Sequence, residues 1–363
     1  MTLDPAPGTD LAELRDRLWD AVSGRDEYAA ADLVLAAVDA GLSPEQVLLE
    51  VIAPVQLRVG TEWAANRITV AQEHAATAIN DRVIAALAHH PASRPTTSAG
   101  RVTIACVDGE WHALPARLVA EVLRLRGWQV DFLGAQVPTH HLVAHLHQHN
   151  PVAVALSSSL PTRLPAAHAA ITACQATGVP VLVGGAAFGP DGRYARLLGA
   201  DAWAPDAPAA ADCLGRGLRR TGSGTAVLAH LADQEYTMVA RSAPQLVGAT
   251  VAELENRFPP MRSYTGLQRD RTVEDIAHIV DFLAAGLYTD DSDLFRDFIV
   301  WTAEILTARG VPAVSLRVTL EVLTGALQDF PRARRLLAEA GAALPAATTS
   351  TDERTAAAPS AGV

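Results

Sequence analysis

The chain has 363 residues, 49% of them hydrophobic, which is enough for two or three packed domains, and no apolar run approaches the roughly 20 residues that span a bilayer. Its formal net charge of −11 comes with no basic stripe and so argues against a nucleic-acid surface. All 29 basic residues are arginine, which excludes a Schiff-base lysine, a phosphate-loop lysine and a lysine general base.

The three cysteines, Cys106, Cys174 and Cys213, are too few and too scattered for a disulfide framework or a C-x-x-C metal site and read as reduced thiols. The sequences H-E-x-x-H, G-x-S-x-G and G-x-G-x-x-G are absent. The acidic, Pro/Gly-bearing stretch from Met1 to Asp10 does not read as a signal peptide. A cytoplasmic location without membrane or nucleic-acid partners is the expectation.

In chain order, residues 10–90 carry helical periodicity, with Leu33, Val34, Ala37 and Val38 and then Leu48, Val51 and Ile52 on repeating faces. Gly41 is a stop and Ser43-Pro44 a start, and four helices fit the length. Pro91 to Gly100 reads as a linker. From 101 to 206 short apolar runs (VTIACVD, VDFLGA, VAVALSSS, VPVLVGG) alternate with amphipathic segments closing at Gly127 or Gly178, a pattern that predicts a parallel, doubly wound sheet. Thr221 to Thr225 reads as a second linker, and helical periodicity then returns, as in Ile276, Ile279, Val280, Leu283 and Leu287. About six helices are expected there. Pro345 to Val363 has little to bury and is expected to be a disordered tail. The predicted domains are 1–95, a four-helix cap; 100–220, an α/β domain; and 225–343, an all-α domain.

In an open parallel sheet ligands sit beyond the carboxyl ends of the strands. Glu110-Trp111-His112 follows the first predicted strand, Ser157, Ser158 and Ser159 end the third, and Gly184-Gly185 end the fourth. A histidine can ligate a metal through one ring nitrogen while a carboxylate on the other fixes its tautomer. A serine can line a slot, and paired glycines let a backbone come close to what fills it. The histidines His140, His141, His145, His147 and His149 are expected to form a solvated helix surface rather than a metal site, although 141 and 145 share a face. Trp63 lies ten residues before the pair Glu73-His74 in the helical region.

The order and spacing of E-x-H, the serines and the double glycine resemble the cobalamin-binding proteins over roughly residues 10–205, with Pro115 where the family motif has glycine. That proline is acceptable in the first turn of the following helix. The resemblance implies a Rossmann-like cobalamin-binding domain under a helical cap, His112 as lower ligand to cobalt with Glu110 behind it, and a serine of 157–159 with Gly184 and Gly185 along the nucleotide tail. W-x9-E-H resembles the light-responsive subgroup, in which the tryptophan covers the adenosyl group of adenosylcobalamin and the glutamate bonds the ligand side. Ala64 stands where some members carry a second histidine for cobalt, leaving His74 as the nearest motif histidine.

Residues 225–340 resemble, more loosely, the helical partner domain of photocobilins, through Phe258-Pro-Pro-Met-Arg-Ser-Tyr264, Arg271 to His278, Trp301 and Arg309-Gly-Val-Pro312. That resemblance implies a globin-like fold and biliverdin as a second, non-covalent chromophore, since no cysteine lies beyond Cys213. Arg262, Arg269 and Arg271 could meet propionates, and Tyr264, Asp275 and His278 the pyrroles, with Phe282 on the same face. The bland reading of this segment is an ordinary bundle with Thr272 as a helix N-cap, and haem on His230 or His278 is the competing tetrapyrrole. The function implied is a light sensor, not an enzyme, that changes domain packing or homo-oligomeric assembly and signals to an unknown protein partner. No helix-turn-helix module precedes the first bundle helix, so direct transcriptional repression is not expected. The rivals are a corrinoid methyl carrier and a cobalamin-sensing adaptor without bilin.

Overall fold

The computed structural model describes residues 10–94, 99–220 and 228–345. The predicted linker at 221–225, part of the linker at 91–100 and the tail beyond Pro345 lie outside them.

Helices α1 (Leu11–Ser23) and α2 (Glu27–Asp39) open on Asp10 and Asp26, whose carboxylates accept from Ala12 and Ala29 N–H groups. A capping box between Ser43 and Gln46, with Pro44 at the first helical position, starts α3 (Pro44–Gln46), which runs through a π-helical stretch, Val47–Ile52, into α4 (Ala53–Ala64). A second box, Thr69 with Gln72, opens α5 (Val70–His89). The π stretch turns Val47, Leu48, Val51 and Ile52 all inward, where they join Leu18, Val34, Val83 and Ile84 in the bundle core. Leu114 and Val122 of the next domain are part of the same cluster, so the bundle rests on the sheet domain.

That domain alternates β1 (Arg101–Cys106), α6 (Ala113–Leu125), β2 (Gln129–Gly134), α7 (Thr139–His149), β3 (Ala153–Ser157), α8 (Leu164–Ala176), β4 (Val181–Gly184), α9 (Arg193–Leu197), β5 (Ala202–Ala204) and α10 (Ala207–Gly215). The sheet is parallel throughout, in the order β2-β1-β3-β4-β5. The chain leaves β1 to one side and returns to β3 on the other, so the switch point lies between these two strands. Register aligns Cys106 with Ser157 and Ser157 with Gly184. The loops carrying Glu110 and His112, Ser158 and Ser159, and Gly185 therefore leave the sheet side by side at one level. The fifth strand was not expected from sequence.

The third domain comprises α11 (Glu235–Arg241), α12 (Ala243–Arg257), α13 (Gly266–Thr289), α14 (Ser292–Ala308), α15 (Val314–Ala326) and α16 (Pro331–Ala343) around Leu283, Leu287, Phe295, Ile299, Leu323 and Leu336. Thr272 is not a helix start: α13 begins at Gly266 behind a Thr265–Gln268 capping box, and the Thr272 hydroxyl donates to the Gln268 carbonyl one turn back. The domain is fixed to the sheet domain by buried Tyr288, Ala285 and Leu294, by His168 Nδ1 at 2.7 Å from the Tyr288 hydroxyl, and by the Tyr194 hydroxyl donating to Asp291 at 2.7 Å. No helix among the described residues is long and apolar enough to cross a membrane.

Candidate functional site

Glu110 organises the loop ends. It is fully buried, and its Oε1 accepts from the His112 backbone N–H at 2.9 Å and faces His112 Nδ1 at 2.6 Å. Its Oε2 accepts from the N–H groups of Ser159 (2.7 Å) and Leu160 (3.0 Å) and from the Ser158 hydroxyl (3.2 Å). Burial pushes this carboxyl up, but hydrogen bonds from the His112 ring and from the His112, Ser159 and Leu160 amides outweigh it and hold the group down at about 2. An ionised carboxylate only accepts, so the proton of neutral His112 is on Nδ1 and the Nε2 lone pair is left free. The ring is about one-third exposed (34% of its side chain) and Nε2 has no protein partner among the described residues. This is the arrangement of a metal-ligating imidazole with its supporting carboxylate. Pro115 sits in the first turn of α6, behind His112 as N-cap.

The serines and glycines have a different geometry from the one expected. Ser157 ends β3, while the Ser158 hydroxyl is turned back onto Glu110 and the Leu160 carbonyl rather than into open space. A β-carbon at Gly185, whose φ is +99°, would stand 2.3 Å from the Ser158 carbonyl oxygen. The close approach that needs this glycine is thus between two loops of the protein. A β-carbon at Gly184 would likewise stand 3.1 Å from the Ala204 carbonyl oxygen.

On the bundle side, Glu73 is the end of a polar relay. Buried Asn80 Nδ2 donates to Gln56 Oε1, Gln56 Nε2 donates to Thr77 Oγ1, and the Thr77 hydroxyl donates to Glu73 Oε1, at 2.8, 2.8 and 3.0 Å. Glu73 Oε2 faces His74 Nδ1 at 2.6 Å. His74 in turn lies 5.9 Å from the ring of Trp111, which stacks on His112 at 4.1 Å. The two sequence motifs, one on α5 and one after β1, therefore meet through Trp111. Trp63, at the end of α4, lies 6.4 Å from Trp301 of α14, and the Arg309 guanidinium stands 5.3 Å over its ring. Gln56, Thr77 and Asn80 were not singled out from sequence. Trp111 was only the middle letter of its motif, and Trp301 and Arg309 entered only through a resemblance.

The six residues read as a bilin site are not gathered in one chamber. Tyr264 and Asp275 line a cavity of about 50 Å³ beside Phe258, Met261 and Leu316, against the ~300 Å³ or more of a ligand pocket. Arg262, Arg271 and His278 are exposed and do not line it. Arg269 pairs with Glu255, and Arg257 with Glu321. Among the described residues no group of three or more His, Cys, Asp or Glu is placed to hold an ion, and the α7 histidines make other contacts. His145 instead faces Asp131 at 3.3 Å and stacks on His149. Cys106 and Cys174 are buried, and burial raises both thiols to about 12, so they are protonated and inert.

Residues 14–88 and residues 100–212 each match a family model described as a B12 binding domain. The chain is similar to the HTH-type transcriptional repressor CarH of Myxococcus xanthus, 31% identical over 178 residues, which are 48% of this chain and 58% of that protein. It is also similar to trimethylamine corrinoid protein 1 of Methanosarcina mazei, 24% identical over 154 residues, or 42% of this chain and 71% of that one. Among solved structures it is similar to the monomethylamine corrinoid protein of Methanosarcina barkeri, at 21% identity and a TM-score of 0.49, covering 56% of this chain and 98% of the other. The chain thus spans little more than half the length of the CarH repressor that it matches. With a free imidazole held by a buried carboxylate at the switch point of the second B12 binding domain, and the first resting on it, this chain belongs with the cobalamin-binding proteins.

Proposed function

We propose that the chain is a light sensor, not an enzyme, that holds adenosylcobalamin between bundle and sheet, with His112 as lower ligand and Trp63 toward the upper ligand. The cofactor, when bound, supplies a cobalt–carbon bond that light breaks. Glu110 fixes the His112 tautomer that can ligate, and Glu73, held by the Asn80–Gln56–Thr77 relay, offers an acceptor to the upper ligand with His74 beside it. Ser157, Ser158 and Ser159 with Gly184 and Gly185 border the slot for the nucleotide tail. The observation that carries the sensor reading is the contact of Trp63 with Trp301 and Arg309. Whatever rearranges Trp63 is felt by the third domain. A sensor needs such a link, because ligand states shift a packing equilibrium only by binding its alternatives differently. The output is a change of domain packing or homo-oligomeric assembly in the cytoplasm, read by a protein partner, and similarity to a repressor supports a regulatory role.

The test is reconstitution with adenosylcobalamin in the dark, followed by illumination, with the spectrum and the molar mass in solution as readouts. Both are expected to change on illumination in the wild type, with a smaller mass change in Trp63→Ala. The second reading is a corrinoid methyl carrier, supported by similarity to the trimethylamine corrinoid protein. Identical dark and light masses, with tighter binding of methylcobalamin than of adenosylcobalamin, decide for it. The sensor reading extends to biliverdin in a globin-like third domain, which requires the cavity at Tyr264 and Asp275 to open severalfold. A red-absorbing band on titration with biliverdin is then expected; with no band, the third domain is an adaptor without bilin.

A further inference from the structure

Arg163 is the last residue of the short turn Pro161–Arg163, which follows the serine loop held by Glu110 and packs on α13 and on the Ala186–Phe188 turn after the double glycine. Its guanidinium lies flat on the loop that carries His112: a β-carbon at Gly109 would stand 3.0 Å from Nη1 and 3.2 Å from Cζ, and Gly109 itself has φ +75°. Several other arginines of this domain are paired, Arg101 with Asp131, Arg117 and Arg124 with Glu121, Arg126 with Glu45 and Asp212, and Arg193 with Asp291. The Arg163 side chain has no hydrogen-bond or ion-pair partner among the described residues, and its Nε is buried without one. The acid that faces it, Asp281 of α13, is near enough to feel its charge but not within ion-pair distance.

A guanidinium kept beside the lower-ligand loop, with its Nε buried and no carboxylate within ion-pair distance among the described residues, calls for an anion there. Cobalamin offers one. Its corrin carries neutral amides, and its one fixed anion is the phosphodiester of the nucleotide tail, which lies on the lower face when an imidazole replaces the tail's base. We propose that Arg163 binds this phosphodiester, with Gly109 kept free of a side chain so that the guanidinium can lie against the loop. Arginine's planar fork suits a phosphate better than any other cation in this lysine-free chain.

The inference rests on cobalamin binding at His112, and two corrinoids separate the questions. Cobinamide is the same corrin without phosphodiester and base. Dissociation constants of cobalamin and cobinamide are measured by spectral titration for the full chain and for Arg163→Gln. The variant is expected to bind cobalamin about ten- to a hundredfold more weakly, as for loss of a charge-assisted hydrogen bond, and cobinamide as the wild type does. Unchanged cobinamide binding also shows that the variant is folded. Arg163→Lys should fall between the two for cobalamin only. Equal losses for both corrinoids, or no loss for either, overturn the assignment; a wild type that binds neither corrinoid overturns the His112 site itself.

Discussion

Residue chemistry is concentrated in Glu110. A carboxylate that is fully buried yet ionised is tolerable only because hydrogen bonds converge on it, and the balance leaves its acid strength well above that of a free glutamate. Because the folded state holds the group at about 2, against 4.5 for the free side chain, it stabilises the fold fully above pH ~4.5, and that contribution is lost as pH falls toward 2. At 1.36 kcal/mol per pH unit the amount is about 3 kcal/mol. Acid titration of the cofactor-free protein should show this loss over that window. Glu110→Gln should start lower at neutral pH and lack this part of the acid dependence; an identical acid profile would show that the carboxylate is not ionised in the fold. E-x-H was legible as a pair of residues, whereas the convergence of three loop donors on the second oxygen was not. Ser159 and Leu160 donate through backbone amides, which carry no side-chain signature.

Elements were legible where their signals were strong. The four strand runs, the four-helix bundle and the six helices of the third domain all have apolar periods and terminal Gly, Pro or Ser/Thr that reveal them. β5 escaped because three residues, Ala202–Ala204, are too few to show alternation. The π stretch escaped because Val47–Ile52 satisfies a helical pattern whichever way its hydrogen bonds run. In the bland reading the start of α13 falls seven residues late, because Thr272 resembles a cap while Thr265 and Gln268 form one. Gly184-Gly185 was legible as a close approach toward a ligand, whereas the tight contact of Gly185 with the Ser158 backbone was not. Gly185→Ala combines a 2.3 Å clash with backbone and a positive φ. It should destabilise the protein by about 2 kcal/mol or more, seen as a lower thermal midpoint, while Gly215→Ala, with nothing near its β-carbon, should not. Equal midpoints for the two variants would remove the interlock between the β3 and β4 loops.

At the scale of the molecule, contacts between residues remote in sequence decide how three domains act together, and these were the least legible of all. Nothing in the sequence near Trp63 announces Trp301, and neither Tyr194 nor His168 announces the α13–α14 junction. If Trp63 and Trp301 hold bundle and third domain together, Trp301→Ala should separate their unfolding into two heat-absorption steps in the cofactor-free protein, where the wild type shows one. A single unchanged step in the variant means that the coupling runs elsewhere.

Helix α14 is attached at both ends to different domains. Asp291, its N-cap, accepts from Tyr194 of the sheet domain, and at the other end its C-cap Arg309 stands over Trp63 of the bundle, which Trp301, midway along the helix, also meets. A helix of 17 residues is about 25 Å long and resists stretching, so α14 works as a ruler laid between the bundle and the sheet domain. Any ligand that widens the gap must detach the ruler at one end, and the weaker end, held by ring contacts rather than by a hydrogen bond between side chains, is the one beside Trp63.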